Sequence, residues 1–357
     1  MAHNHCMRRR HILVRALVLL TAVGVVAGCG RTDAPTAPPT PPSQLAPTAP
    51  AAAMQRACGQ QAYATAPRHV IWIWLENKAF DEVVAAPGSR VARANRFLNE
   101  VVARRCATLT RFDAVQHASL GNYIAAATGS PAGIDGGCAP SQCPIDRDSV
   151  FGQVARAGGS WRSYQESAPG NCTRSDVGRY VVRHDPVPYL VRETADCRRW
   201  DQPLGTPTRG PLARQLDTGT LADLTFVTAD VCDDSHDCPA HVADAWLASW
   251  VGRIAASKAY AAGDVLVLLV WDEGNRRRGP GIATNSPCPR GTMRGDCRAP
   301  AFVIGPAVAA GRRIATQVDH YALLQLTQEL LGVGPRLGPD RGAAVAELRA
   351  AVTPKKK

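Results

Sequence analysis

The chain reads as an α/β protein in which a largely parallel central sheet carries helices on both faces and disulfides brace the loops. Three observations predict this. Short, almost wholly apolar runs recur along the sequence, amphipathic helical spacings fall between them, and ten of the twelve cysteines lie beyond residue 57. Uninterrupted apolar runs suit strands buried on both faces, and their alternation with helices marks a parallel sheet.

At the N-terminus, Arg8, Arg9 and Arg10 precede an apolar segment over about residues 16–26, which leads into Val26-Ala27-Gly28-Cys29. A charged start, a short apolar stretch and small residues describe an export signal over residues 1–28, too short to span a bilayer. The run resembles a bacterial lipobox, which implies that Cys29 is lipidated and becomes the mature N-terminus. The protein would then be exported and lipid-anchored to the outer face of the bacterial cell membrane or cell envelope. Residues 29–57 are dominated by Pro, Ala and Thr and lack the large apolar side chains of a core, so they read as a semi-extended tether. Residues 58–352 have globular composition and length enough for one large domain. A basic tail, residues 353–357, follows.

The formal net charge is +11. Four of those charges fall in the signal and three in the tail, leaving an excess too small to argue for a nucleic-acid partner. Arg276-Arg277-Arg278 lie close after Asp272-Glu273-Gly274 and would set positive charge beside that acidic group; a solvated charge run is the plain alternative. An even number of cysteines in an exported domain, with no paired C-x-x-C knuckles, favours disulfides over a metal cluster. Pairing neighbours in sequence closes short loops and is the expected connectivity: Cys58–Cys106, Cys138–Cys143, Cys172–Cys197, Cys232–Cys238 and Cys288–Cys297. Sequence alone does not fix it.

Strands are expected at residues 69–75, 111–114, 224–228, 264–271 and 301–305. Helical spacing links Val91, Ala94, Leu98, Val101 and Val102, then Val242, Trp246, Trp250, Val251 and Ile254, then Leu323, Leu326, Leu330 and Leu331. Asp319 stands where an N-cap would start the last helix and Gly332 where it would stop. Residues 129–217, richer in Gly, Pro and Cys, are expected to form disulfide-held excursions above the site.

Two of the strands end in acids. The apolar run 69–75 delivers Glu76-Asn77 to the carboxyl edge of the sheet, and the run 264–271 delivers Asp272-Glu273-Gly274; open α/β sheets keep their ligand sites at that edge. Ser119 lies just before an Ala-rich stretch ending at Gly129, at the start of a short helix. There, free amides and the helix dipole stabilise an anion such as phosphate, and the hydroxyl is a candidate nucleophile; an ordinary N-cap is the alternative. Asp233-Asp234-Ser235-His236-Asp237 follow the strand at 224–228 and suit either a metal or phosphate site or an acidic loop pinned by Cys232–Cys238. His320 presents an imidazole beside Asp319 at the start of the last long helix; taken alone, such a residue is more often a satisfied structural histidine.

Taken in order, Glu76-Asn77-Lys78-Ala79-Phe80-Asp81, His117-Ala118-Ser119-Leu120-Gly121-Asn122-Tyr123, Cys232-Asp233-Asp234-Ser235-His236-Asp237-Cys238, Trp271-Asp272-Glu273-Gly274 and Val318-Asp319-His320-Tyr321-Ala322-Leu323-Leu324 resemble the bacterial phosphoesterase family of acid phosphatases and phospholipases C. That resemblance spans about residues 69–332 and implies an alkaline-phosphatase-like fold. It further implies that Glu76, Asn77, Ser119, Asp272 and Glu273 surround one divalent metal ion, with Ser119 as nucleophile. Asp234, His236 and His320 would complete the site, the two histidines serving catalysis, and Asn122, Asp234 and Asp319 would be additional ligands or phosphate contacts. The chain departs from the family pattern at Lys78-Ala79, where Arg or His with Ser is usual, and at Ala118 and Gly121, where prolines are common. These changes flank the chemistry and bear on substrate choice.

The expected activity is therefore metal-dependent hydrolysis of phosphate esters, acid-phosphatase-like, with a phospholipase C or phosphodiesterase on the same site as the alternative. A non-catalytic surface lipoprotein that binds anionic ligands is the alternative outside enzymology. An oxygen-rich ligand set suits Ca, Mg or Mn, and added His236 and His320 would favour Zn or Fe. Other hydrolase classes lack their signatures: there is no G-x-S-x-G elbow, no H-E-x-x-H helix and no Walker loop, and the residues after Ser119 lack the Pro and Arg of a sulfatase.

Overall fold

A computed structural model describes residues 57–59, 66–134, 136–275, 286–291 and 294–352. The chain divides into Met1–Ala46 and Pro47–Lys357, and all described residues belong to the second unit. The signal, Cys29, Arg276-Arg277-Arg278 and the basic tail lie outside the described residues.

Among the described residues there are ten strands: β1 His69–Leu75, β2 Ala107–Leu109, β3 Phe112–Asp113, β4 Trp161–Gln165, β5 Asp201–Pro203, β6 Leu224–Thr228, β7 Val265–Trp271, β8 Ala301–Ile304, β9 Arg313–Ile314 and β10 Val318–Asp319. Eight form one sheet in the order β5-β4-β6-β1-β7-β8-β2-β9, and β3 pairs with β10 apart from it. The central strand β1 runs parallel to β6 and β7, placing Trp72 opposite Phe226 on one side and Leu268 on the other. Only β8 runs antiparallel to its neighbours, β7 and β2.

Alternation along β1 explains its composition. Trp72 and Trp74 point to one face, where the Trp72 indole donates to Thr327 in the helix His320–Leu331 and Trp74 packs 4.5 Å from Tyr123 in the helix Ser119–Thr128. Ile71, Ile73 and Leu75 point to the other face and are fully buried too, so both faces are covered. Asp319 caps the helix His320–Leu331 through the Ala322 amide at 2.9 Å, and Gly332 ends it at φ +65°.

Two expectations need correction. Residues 129–217 are not excursions alone, because they supply β4 and β5, which extend the sheet beyond β6. The sequence of β4, Trp-Arg-Ser-Tyr-Gln, mixes polar with apolar residues and carries no continuous hydrophobic run to betray it. The strand expected over 111–114 is the short ribbon strand β3, and the preceding Ala107–Leu109 takes the place in the main sheet. The disulfides join Cys58–Cys106, Cys138–Cys143, Cys172–Cys197, Cys232–Cys238 and Cys288–Cys297, which suits an oxidising compartment. No helix among the described residues is long and apolar enough to cross a membrane.

Candidate functional site

The ends of β1 and β7 and the start of one helix converge on Glu76. Its carboxylate is fully buried and is held on both oxygens by a single helix: the Ser119 hydroxyl donates to Oε2 at 2.8 Å and the Tyr123 hydroxyl to Oε1 at 2.8 Å. Residues four apart on a helix share a face, which lets one element grip both oxygens. Ala118, not Ser119, occupies the N-cap position, so the serine hydroxyl is not spent on capping.

Asn77 adopts the left-handed region at φ +38°, a conformation that persists only when its surroundings impose it. Its amide donates to Asp272 Oδ1 at 3.1 Å, while the Asp272 amide returns to the Leu75 carbonyl at 3.1 Å. Behind Glu76, the Asp234 carbonyl accepts from the Glu76 amide at 3.1 Å, and Asp234 Oδ1 accepts from the His236 amide at 2.6 Å. The helix tolerates no side chain at Gly121, where a Cβ would fall 1.9 Å from the Gln116 amide nitrogen; that amide in turn donates to the Ile134 carbonyl at 3.0 Å.

Glu76, Asp234 and Asp272 are all fully buried, and among the described residues none pairs with a lysine or arginine. Burial, then the charges of Asp272 and Asp234, push Glu76 well above the usual carboxylate range. Asp272 is pushed up to about 7 by burial and by Glu273, against the hydrogen bond from the Asn77 amide. Asp234 is raised to about 8, mainly by burial. Three polar oxygens remain without a hydrogen bond: Asn77 Oδ1, Asp234 Oδ2 and Asp272 Oδ2. Buried anions with orphaned oxygens are costly unless a cation joins them, so Glu76, Asn77 and Asp272 fit a hard divalent ion.

Glu273 is buried beside them, and its Oε2 lies 2.8 Å from His117 Nδ1. His236 is partly exposed, with Nδ1 2.6 Å from Asp237. Three of the expected site residues are held by other contacts. Asn122 is spent on the backbone, accepting from the Val115 and Gln116 amides and donating to the Gln116 carbonyl. Asp319 caps its helix and pairs with Arg341 at 2.6 Å. His320 Nε2 is held 2.7 Å from the Asp272 carbonyl, the ring stacks on Trp74, and burial lowers its pKa to about 4.

Sequence reasoning missed four residues. His184, from the short turn Val182–His184, puts Nε2 3.3 Å from Glu76 Oε1 and Nδ1 3.6 Å from Asp234 Oδ2, with its ring stacked on Tyr123. Tyr123 and His117 flank Ser119 in its own motif. Asp296 lies 3.3 Å from His117 Nε2. An isolated histidine in a loop-rich segment gives no periodic signal, so only the three-dimensional contact identifies His184.

Residues 93–334 match the Phosphoesterase family. The chain belongs to that family. It is 27% identical over 210 residues to an acid phosphatase of Aspergillus fumigatus, covering 56% of this chain and 43% of that protein. A phosphate-repressible acid phosphatase of Penicillium chrysogenum is likewise 27% identical over 209 residues, covering 57% and 47%. Each match thus spans under half the length of the relative. The lipoteichoic acid synthase LtaP of Listeria monocytogenes is similar in structure, with a TM-score of 0.51 at 12% identity over 80% of this chain and 79% of that one, a likeness of fold.

Proposed function

We propose that this phosphoesterase-family chain is an exported, metal-dependent phosphate-ester hydrolase, acid-phosphatase-like in substrate, that uses Ser119 as its nucleophile. The observation that carries this reading is the Ser119 hydroxyl at a helix start, 2.8 Å from a fully buried Glu76 in a nest of carboxylates with unpartnered oxygens. Glu76, Asn77, Asp272 and Glu273, with Ser119, would hold one divalent cation. When bound, such a cation supplies charge compensation to the carboxylates and polarises a phosphoryl oxygen. The Ser119 oxygen attacks phosphorus in line with the leaving group as its proton passes along the existing hydrogen bond to Glu76. The free amides of the helix Ser119–Thr128 stabilise the equatorial oxygens. His236, at the accessible side of the site, protonates the departing oxygen. Water then cleaves the phosphoserine, restoring Ser119 and releasing phosphate. His320 and Tyr123 orient Asp272 and Glu76.

Two curated relatives are acid phosphatases, which favours a monoester over a diester or a phospholipid. The Val26-Ala27-Gly28-Cys29 run supports a lipid anchor at Cys29. Purified protein should release the chromophore from an aryl phosphomonoester faster than from the matching diester or a phosphocholine lipid, and lose that activity with a chelator. Hydrolysis that survives exhaustive chelation would contradict the metal assignment; ligand binding with no turnover on any ester would favour the binding protein.

A further inference from the structure

We propose that His117 is a positioning residue for Glu273, fixed from behind by Asp296 and the Cys288–Cys297 disulfide. This rests on the proposed function, in which Glu273 is one of the metal ligands. His117 is 1% exposed and sits between two carboxylates, with Nδ1 2.8 Å from Glu273 Oε2 and Nε2 3.3 Å from Asp296 Oδ2. Both sulfurs of the Cys288–Cys297 bridge lie 3.6 Å from the same Nε2. A carboxylate whose second oxygen is held by a buried donor keeps its first oxygen in a fixed direction, and outer partners of this kind set metal affinity.

The support is built on backbone. The amides of Cys288 and His117 bond to the carbonyls of Val115 and Ser286 at 2.9 and 3.1 Å, and the Ala114 amide bonds to the Cys297 carbonyl at 2.8 Å. At the other end, the Gly274 amide donates to the Asp296 carbonyl at 3.1 Å, and a Cβ at Gly274 would fall 2.3 Å from the Gly295 carbonyl. The residue after Glu273 is therefore a glycine because the disulfide-closed turn presses against it. Arg294 clamps the Asp296 carboxylate in turn.

Calorimetric titration of chelator-treated protein with Mn²⁺ tests this without relying on turnover. His117→Ala should weaken Mn²⁺ binding by about 10- to 100-fold. His117→Asn, whose amide nitrogen can stand near the place of Nδ1 and donate to Glu273, should recover affinity to within about threefold of the unchanged protein. Unchanged affinity in His117→Ala, or equal loss in both variants, would overturn the positioning role while leaving the metal site intact. No Mn²⁺ binding by the unchanged protein would instead overturn the metal reading and this inference with it.

Discussion

Two acidic clusters sit side by side at the end of the sheet, and adjacent residues of one loop serve one each: Asp234 faces Glu76 and Asp272, whereas Asp233 faces Glu166 and Asp230. The second cluster is the tighter, with oxygens of Glu166, Asp230 and Asp233 all within 4.8 Å of one another. Yet Glu166 and Asp230 are satisfied within the protein. Glu166 accepts from the Trp246 indole at 2.9 Å and the Asp230 amide at 3.1 Å, and Asp230 accepts from the Ser167 hydroxyl at 2.7 Å and the amides of Cys232 and Asp233 at 3.0 and 3.1 Å. The first cluster leaves Asp234 Oδ2, Asp272 Oδ2 and Asn77 Oδ1 without hydrogen-bond partners and has a serine hydroxyl 2.8 Å from its Glu76. Proximity of acids is common to both clusters; unspent oxygens near a buried serine hydroxyl are found in the first alone.

Substitutions that divide the clusters should have effects of very different size. Ser119→Ala should lower kcat on an aryl phosphate by on the order of 10⁴-fold or more, with a melting temperature close to that of the unchanged protein. Asp272→Asn should cost about 10²-fold or more in turnover, yet raise the melting temperature of the metal-free protein at pH 8, because a buried carboxylate with a pKa of about 7 is ionised there at a penalty. If that variant loses stability, the carboxylate is paired in a way this account omits. Glu166→Gln should leave turnover within about twofold, since its cluster is structural.

The Glu166 variant should change the pH dependence of stability instead. Burial raises Glu166 from an ordinary 4.5 to about 8. Between those values the folded protein keeps a proton that the unfolded chain releases, so this contribution is complete below about 4.5 and is lost as pH rises through about 8. Thermal melts from pH 5 to pH 8.5 should therefore fall less steeply in Glu166→Gln than in the unchanged protein. An identical slope would show that Glu166 does not hold the proton.

The sheet's centre was legible because β1, β6, β7 and β8 are continuous apolar runs, whose burial on both faces leaves no other pattern. Strands β4 and β5 were not, since a strand of mixed polarity resembles a loop until its neighbours are known. At the site, Glu76, Asn77, Ser119, Asp272 and Glu273 could be read from strand ends, a helix start and family resemblance. His184 could not, because it enters from a disulfide-held turn whose path no local propensity sets. Asp319 and Asn122 illustrate the opposite case: each lies in a motif beside the proposed chemistry, but Asn122 is engaged by the backbone and Asp319 by a helix-start amide and Arg341.

The most direct test of the proposed activity is to incubate the protein with a phosphomonoester, quench in acid and map any covalent product by mass spectrometry. The account predicts phosphate on Ser119, formed only when a divalent cation is present and absent from Ser119→Ala. Full activity in Ser119→Ala, or a phosphorylated residue elsewhere in the site, would contradict it.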